Sequence, residues 1–224
     1  MSRTTILLTT TLSFALLSTF SARAVGQEEH AEELKEIIEG IAARWETLPG
    51  MTAHLTHTFE WVLAGETQTT EGTIHLADGN RFRIDTSDVI LVSNGTTVWQ
   101  YTPKQNQVVI DRVDPGRPNA SPEQIFVAFT EGARAEWIRE ERRSRSESLV
   151  VIRLHRDPQE EPATVEAWVE VPRMLVVRLA WSDGAGNRHS YDLSAIEIAE
   201  QPPERFEFQI PANVVVVDMR PPGQ

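Results

Sequence analysis

From Met51 onward the chain alternates with a period of two, and that alternation returns in short runs almost to the C-terminus. In residues 51–62 the odd positions Met51, Ala53, Leu55, Phe59 and Trp61 are apolar, while the even ones are mostly Thr, His and Glu. Only an extended strand puts alternate residues on one face. Turn signals separate the runs: Gly65, Asp78-Gly79, Asn94-Gly95 and Pro103. Asp-Gly and Asn-Gly favour tight hairpins because these residues tolerate positive φ. Ile74 shares a face with Leu76, Phe82 with Ile84, and Trp99 with Tyr101. Further strand-like runs cover 89–92, 108–110, 148–155, 163–171, 174–182 and 188–198, with a terminal pair around Phe206-Phe208 and Val214–Val217. Short strands at regular spacing predict an antiparallel sheet, curved or closed into a barrel.

Two segments depart from this pattern. Residues 28–48 carry Leu34, Ile37, Ile38, Ile41, Trp45 and Leu48 at helical spacing, one apolar stripe on an amphipathic helix. Four glutamates sit in its first turns, where the helix dipole favours anions, and Pro49-Gly50 ends it. In 114–133 three prolines break the sheet, and Ser121-Pro122-Glu123-Gln124 forms a capping box. Ile125, Phe126 and Phe129 then make a short apolar helical face.

The first residues read as a secretory leader rather than as fold. Arg3 precedes an apolar run from Ile6 to Phe20, and Ala22-Arg23-Ala24 has the small-x-small pattern of a cleavage site. The run falls short of the ~20 apolar residues a membrane span needs. The expected organisation is a signal peptide at 1–24 and a single domain at 25–224. Cleavage would remove Arg3 and Arg23 and no acid, taking the formal charge from −12 to −14. An acidic chain repels nucleic acid and anionic membrane surfaces. With no cysteine it has no disulfide, no thiolate metal ligand and no site for lipid attachment through sulfur. The expected location is a soluble, exported one, the periplasm.

No catalytic constellation emerges. His54 and His57 are three residues apart on a strand, hence on opposite faces, and cannot chelate one metal together. His57 points with Leu55 and Phe59, either as a hydrogen-bonded histidine in an apolar interior or in a ligand or pH-sensing role. Asp85 and Asp88 read as solvated loop carboxylates, and Asn94-Gly95-Thr96 as a turn rather than a glycosylation site. The run Arg139–Arg145 reads as a solvated hairpin. Neither a cofactor nor a metal is expected, and the chain is not expected to be an enzyme. What remains is a surplus of apolar surface. One sheet face must be covered by the stripe at 34–48 and the short face at 125–129. Incomplete filling leaves an apolar cavity, complete filling an ordinary core, and periodicity is compatible with both.

A resemblance bears on that choice. Phe82-Arg83-Ile84-Asp85, then Ile90 through Pro103 with Asn94-Gly95, Trp99 and Tyr101, then Asn106-Gln107-Val108, resemble the central motif of the outer-membrane lipoprotein carrier (LolA) family. The ending Phe206-Glu207-Phe208-Gln209-Ile210-Pro211 is similar to that family's C-terminal pattern. The resemblance implies a mainly β fold with α: an incomplete antiparallel β-barrel of about 11 strands under a small helical lid. It also implies a monomeric carrier taking acylated lipoproteins or other lipids from an inner-membrane ABC-type exporter to an outer-membrane acceptor. The cavity and lid would then draw on Leu34, Ile37, Ile38, Ile41, Trp45, Leu55, Phe59, Trp61, Ile74, Leu76, Phe82, Ile84, Trp99, Tyr101, Ile125, Phe126 and Phe129. One departure stands out. Where the family has an Arg-Pro that latches the lid, this chain has Ala77-Asp78-Gly79, and the glutamine usual in the first strand is His57. His57, Asp78 and Arg81 are therefore the expected polar gate. The same barrel also serves lipid- or lipoprotein-sensing regulators, an alternative function that normally brings a second domain.

Overall fold

The computed structural model describes residues 30–113, 134–142, 148–155 and 162–220. The leader and the insert at 114–133, with Ile125, Phe126 and Phe129, lie outside the described residues. Helix α1 (Ala31–Glu46) is followed by β1 (Met51–Trp61), β2 (Glu66–Ala77), β3 (Arg81–Thr86), β4 (Ile90–Asn94), β5 (Thr97–Thr102) and β6 (Gln107–Arg112). Then come β7 (Arg134–Arg142), β8 (Ser148–His155), β9 (Thr164–Glu170), β10 (Leu175–Ser182), β11 (Arg188–Ile198) and β12 (Val215–Asp218).

All twelve strands form one sheet in the order β12-β6-β5-β4-β3-β2-β1-β11-β10-β9-β8-β7. Among the described residues the sheet does not close, and β12 and β7 are its edges. Pairing is antiparallel throughout except between β12 and β6, which run parallel. Two meanders, β1–β6 and β7–β11, are joined where β1 pairs with β11. The twelfth strand is the difference from the expected count. Of the expected terminal pair, only the valine run is a strand. Pro203–Phe206 is a single 3-10 turn, because Pro202 and Pro203 cannot donate to a ladder. Arg139–Arg142 of the charged run forms the end of β7, the first arm of the antiparallel β7–β8 hairpin, and charge on an edge strand discourages pairing with another chain.

The sheet buries both faces, each in a different way. On one face α1 packs Ile37 and Ile41 against Val150, Ile152, Leu154, Val165, Ala167, Val169 and Val176. The same face continues as a second cluster: Leu48, Met51, Ala53, Leu55, Ile74, Leu76 and Phe82. Burying each such side chain contributes roughly 1.5–3 kcal/mol. The opposite face of β8–β10 holds Leu149, Val151, Trp168, Leu175 and Val177. These strands are buried on both sides, so their sequence runs apolar without alternation, as in Leu149-Val150-Val151-Ile152. On the opposite face of β3–β5 the C-terminal segment forms the cover. Phe206 is fully buried there, and Phe208 sits 6.4 Å from the Trp99 ring and 6.1 Å from Tyr101.

Candidate functional site

The helix-bearing face is where the apolar side chains converge. Helix α1 is held along its length. At its start the His30 ring stacks on Trp137 of β7, with centroids 4.3 Å apart. At its middle Gly40 leaves a notch filled by Met174, whose left-handed backbone (φ 49°) turns β9 into β10. At its end Trp45 packs against both apolar clusters, and its buried indole N–H has no partner among the described residues. Leu34 and Ile38 on the helix, and Ile84, Leu91, Tyr191 and Leu193 on the sheet, are only half-buried. Apolar surface therefore continues beyond what α1 covers.

Five rings gather on this face at the far end of β1. His57 stacks on Tyr191 at 4.2 Å, and Trp181 stacks on both Tyr191 at 5.3 Å and His189 at 5.5 Å. Phe59 lies 4.9 Å from His189. Register explains the gathering: β1 sets His57 opposite Tyr191 and Phe59 opposite His189, while β10 sets Trp181 opposite His189. Nε2 of His57 is 3.4 Å from Nδ1 of His189, whose Nε2 lies 3.5 Å from the Asp183 carboxylate. Asp183 is fixed by the backbone N–H groups of Ala185 and Asn187 and by the Asn187 amide. The Asn187 amide, more than any other group, holds its pKa below the ordinary carboxylate value. Burial, then the neighbouring His189, holds His57 below 6.5.

The structure brings Leu34, Ile37, Ile38, Ile41, Trp45, Leu55, His57, Phe59, Ile74, Leu76, Phe82 and Ile84 to this one face. Five expectations need correction. Trp99 and Tyr101 share parity but point the other way, because Phe82 pairs with Ser93 and Ser93 with Val98, not Trp99. They pack under Phe208. Trp61 stands at the β1–β2 hairpin end, 48% exposed, beside the still more exposed Val62 and Leu63. Asp78 is an exposed turn residue, and its ion pair is with Arg81. Arg81 itself lies on the opposite face, with its guanidinium 5.7 Å from the Phe206 ring centroid. Neither of these two reaches α1. Asp85 and Asp88 are not merely solvated, since Arg83 and Lys104 pair with them at 2.7 and 2.6 Å. Asn94 acts as a turn residue, its side-chain oxygen accepting from the N–H groups of Thr96 and Thr97. Sequence reading missed Trp181, His189, Tyr191 and Asp183. The alternation of Trp181, His189 and Tyr191 within β10 and β11 was visible, but their meeting with β1, and with Asp183 in the turn between those strands, depends on long-range pairing.

On the opposite face a pocket of about 330 Å³, lined by polar and apolar groups alike, includes Arg153, Glu166, Ser182 and Arg188, and Arg153 is already paired with Glu166 at 2.7 Å. No group of three metal-ligating side chains occurs among the described residues, and no described helix is long and apolar enough to cross a membrane.

Residues 56–209, from mid-β1 to just past Phe208, match the family described as outer membrane lipoprotein carrier protein LolA. The chain belongs to the LolA family. The matched span holds the motif strands β3–β6 and the Phe206-Phe208 ending, whereas α1 and β12 lie outside it. LolA is a carrier and binding fold, not an enzyme family. One solved structure agrees at the level of fold. An uncharacterised conserved protein from Thermus thermophilus superposes with a TM-score of 0.56 at 13% identity, over 82% of this chain and 98% of that one. A LolA superfamily protein from Nitrosomonas europaea aligns at 11% identity with a TM-score of 0.42, over 78% of this chain and 97% of that one. Lipoprotein LppX from Mycobacterium tuberculosis aligns at 10% identity with a TM-score of 0.40, over 76% and 99%. No curated protein matches the chain in sequence.

Proposed function

We propose that this LolA-family chain is an exported, monomeric carrier that binds the acyl chains of lipoproteins or other lipids on its helix-bearing face. It would take them from an inner-membrane ABC-type exporter and release them at an outer-membrane acceptor. The observation that carries this reading is the half-buried apolar surface extending from Leu34, Ile38 and Trp45 across to Ile84 and Leu91, which α1 alone does not close.

The energetics suit a shuttle. A chain of roughly 16 carbons gains about 12 kcal/mol on leaving water, at about 0.8 kcal/mol per methylene. A bilayer offers nearly the same, so transfer between carrier and membrane is close to balanced. The position of α1 over the sheet then biases uptake against release, as a shift between two populations. The test is a titration of the chain from residue 25 with a fluorescent fatty acid. Saturable binding near one probe per chain, displaced by an acylated lipoprotein, is expected. Absence of saturable binding overturns the carrier reading.

A further inference from the structure

We infer that Nδ1 of His57 is a hydrogen-bond acceptor at the end of the acyl-binding face, and that it selects cargo whose head group is neutral and donates a hydrogen bond, such as an acyl amide, over a free fatty acid. This rests on the acyl-carrier reading and adds the head group to it.

The tautomers follow from one fixed charge. The Asp183 carboxylate only accepts hydrogen bonds, so the His189 nitrogen facing it, Nε2 at 3.5 Å, carries the proton. With that proton on Nε2, His189 turns its Nδ1 toward His57 as an acceptor. His57 Nε2, 3.4 Å away, supplies the N–H between the rings. His57 is left with a lone pair on Nδ1, and its one side-chain hydrogen bond among the described residues is made through Nε2. The direction of the chain comes from Asp183, itself held rigid by three N–H donors.

The surroundings determine what that lone pair accepts. Facing the pair are Phe59 from β1, Gln68 and Thr70 from β2, Trp181 from β10 and Tyr191 from β11. Asp183 and the Tyr191 hydroxyl are the other titratable groups there, and no lysine or arginine is among these described residues. A carboxylate head would meet a lone pair and the nearby Asp183 charge, and the donors facing it, on Gln68, Thr70 and Tyr191, carry no positive charge. An amide N–H or a hydroxyl would donate to Nδ1 while its acyl chain ran back toward Trp45. His57 is six residues along β1 from Met51, a distance of about 20 Å. An acyl chain spans roughly 15 Å, half of a ~30 Å bilayer core, a length comparable with that distance.

The experiment displaces a bound fluorescent hydrophobic dye at neutral pH with three ligands of one chain length: dodecanamide, methyl dodecanoate and dodecanoate. The amide is expected to bind about tenfold more tightly than either other ligand, the value of one hydrogen bond in a partly dry site. In His57→Phe, which keeps an aromatic ring against Tyr191 but removes the acceptor, the ratio of amide to ester affinity falls to about one. Asp183→Ala, which frees the tautomer without touching the stack, shrinks the preference in the same direction. Equal binding of amide and ester, or an amide preference surviving in both variants, overturns the head-group inference alone. Failure of all three ligands to displace the dye overturns it together with the acyl-carrier reading.

Discussion

Met174 places its sulfur 3.0 Å from where a β-carbon on Gly40 would stand. The contact docks the middle of α1 onto the β9–β10 turn, and it works because residue 40 has no side chain. Gly40→Leu would need space already occupied by the Met174 thioether. Overpacking of this kind costs about 1–3 kcal/mol, more than the ~1 kcal/mol gained by replacing a helix glycine. Thermal denaturation should show a lower Tm for Gly40→Leu, and the double variant Gly40→Leu/Met174→Ala should recover part of it.

The two sheet faces should respond differently to truncation. Phe206→Ala empties a fully buried site over β3 and β4 and should cost about 3–5 kcal/mol in chemical denaturation. Leu91→Ser, on the helix-bearing face and only half-buried, should cost less stability but weaken binding of a hydrophobic probe. If truncating Trp99 on the Phe208 side weakens probe binding as much as Leu91→Ser does, the assignment of faces fails.

Ser93 joins two turns that touch. Its hydroxyl donates to the Asn80 carbonyl at 2.8 Å and accepts from the Gly95 N–H at 3.1 Å, and the residue is fully buried. Ser93→Ala leaves both backbone groups without that partner, a loss of about 1–3 kcal/mol. Gly95 is stricter still. With φ at 94° and a virtual β-carbon 2.4 Å from the Gly79 carbonyl, Gly95→Ala should be the more damaging change. Urea unfolding of the two variants ranks them.

Acid should weaken the fold through two histidines. Burial, then His189, holds His57 below 6.5, and burial followed by the Arg205 charge does the same for His75. The folded pKa lies below the unfolded one in each case. As pH falls through 6.5 the unfolded chain gains protons first, so stability declines from there down to the folded pKa values. Above 6.5 neither group contributes a slope. Unfolding free energy measured against pH should therefore bend downward below 6.5, and His57→Gln/His75→Gln should flatten that bend.

Individual strands were legible because alternation is local. The pairs Ile74–Leu76, Phe82–Ile84 and Trp99–Tyr101 each keep the shared face their parity requires, and the α1 stripe Leu34–Trp45 packs as its spacing requires. The phase between strands was not legible. The β2–β3 connection holds three residues, with Gly79 and Asn80 both at positive φ, so Ala77 pairs with Arg81. A two-residue Asp-Gly turn would have reversed every side chain beyond it. Arg81 consequently faces the C-terminal segment rather than α1, and no local pattern announces this.

The sequence by itself determined that this chain makes short antiparallel strands with one amphipathic helix, and that it resembles a lipoprotein carrier. Those are properties of neighbouring residues and of motifs that lie whole within a few dozen positions. Only the tertiary structure decided that His57 meets His189, Tyr191 and Trp181, and that Trp99 and Tyr101 serve the opposite face. Both outcomes depend on strand register: on the β1–β11 pairing between segments more than 100 residues apart, and on turns whose length sets which side of the sheet a residue reaches. A period of two says that alternate residues agree with each other, but it does not say which face they share.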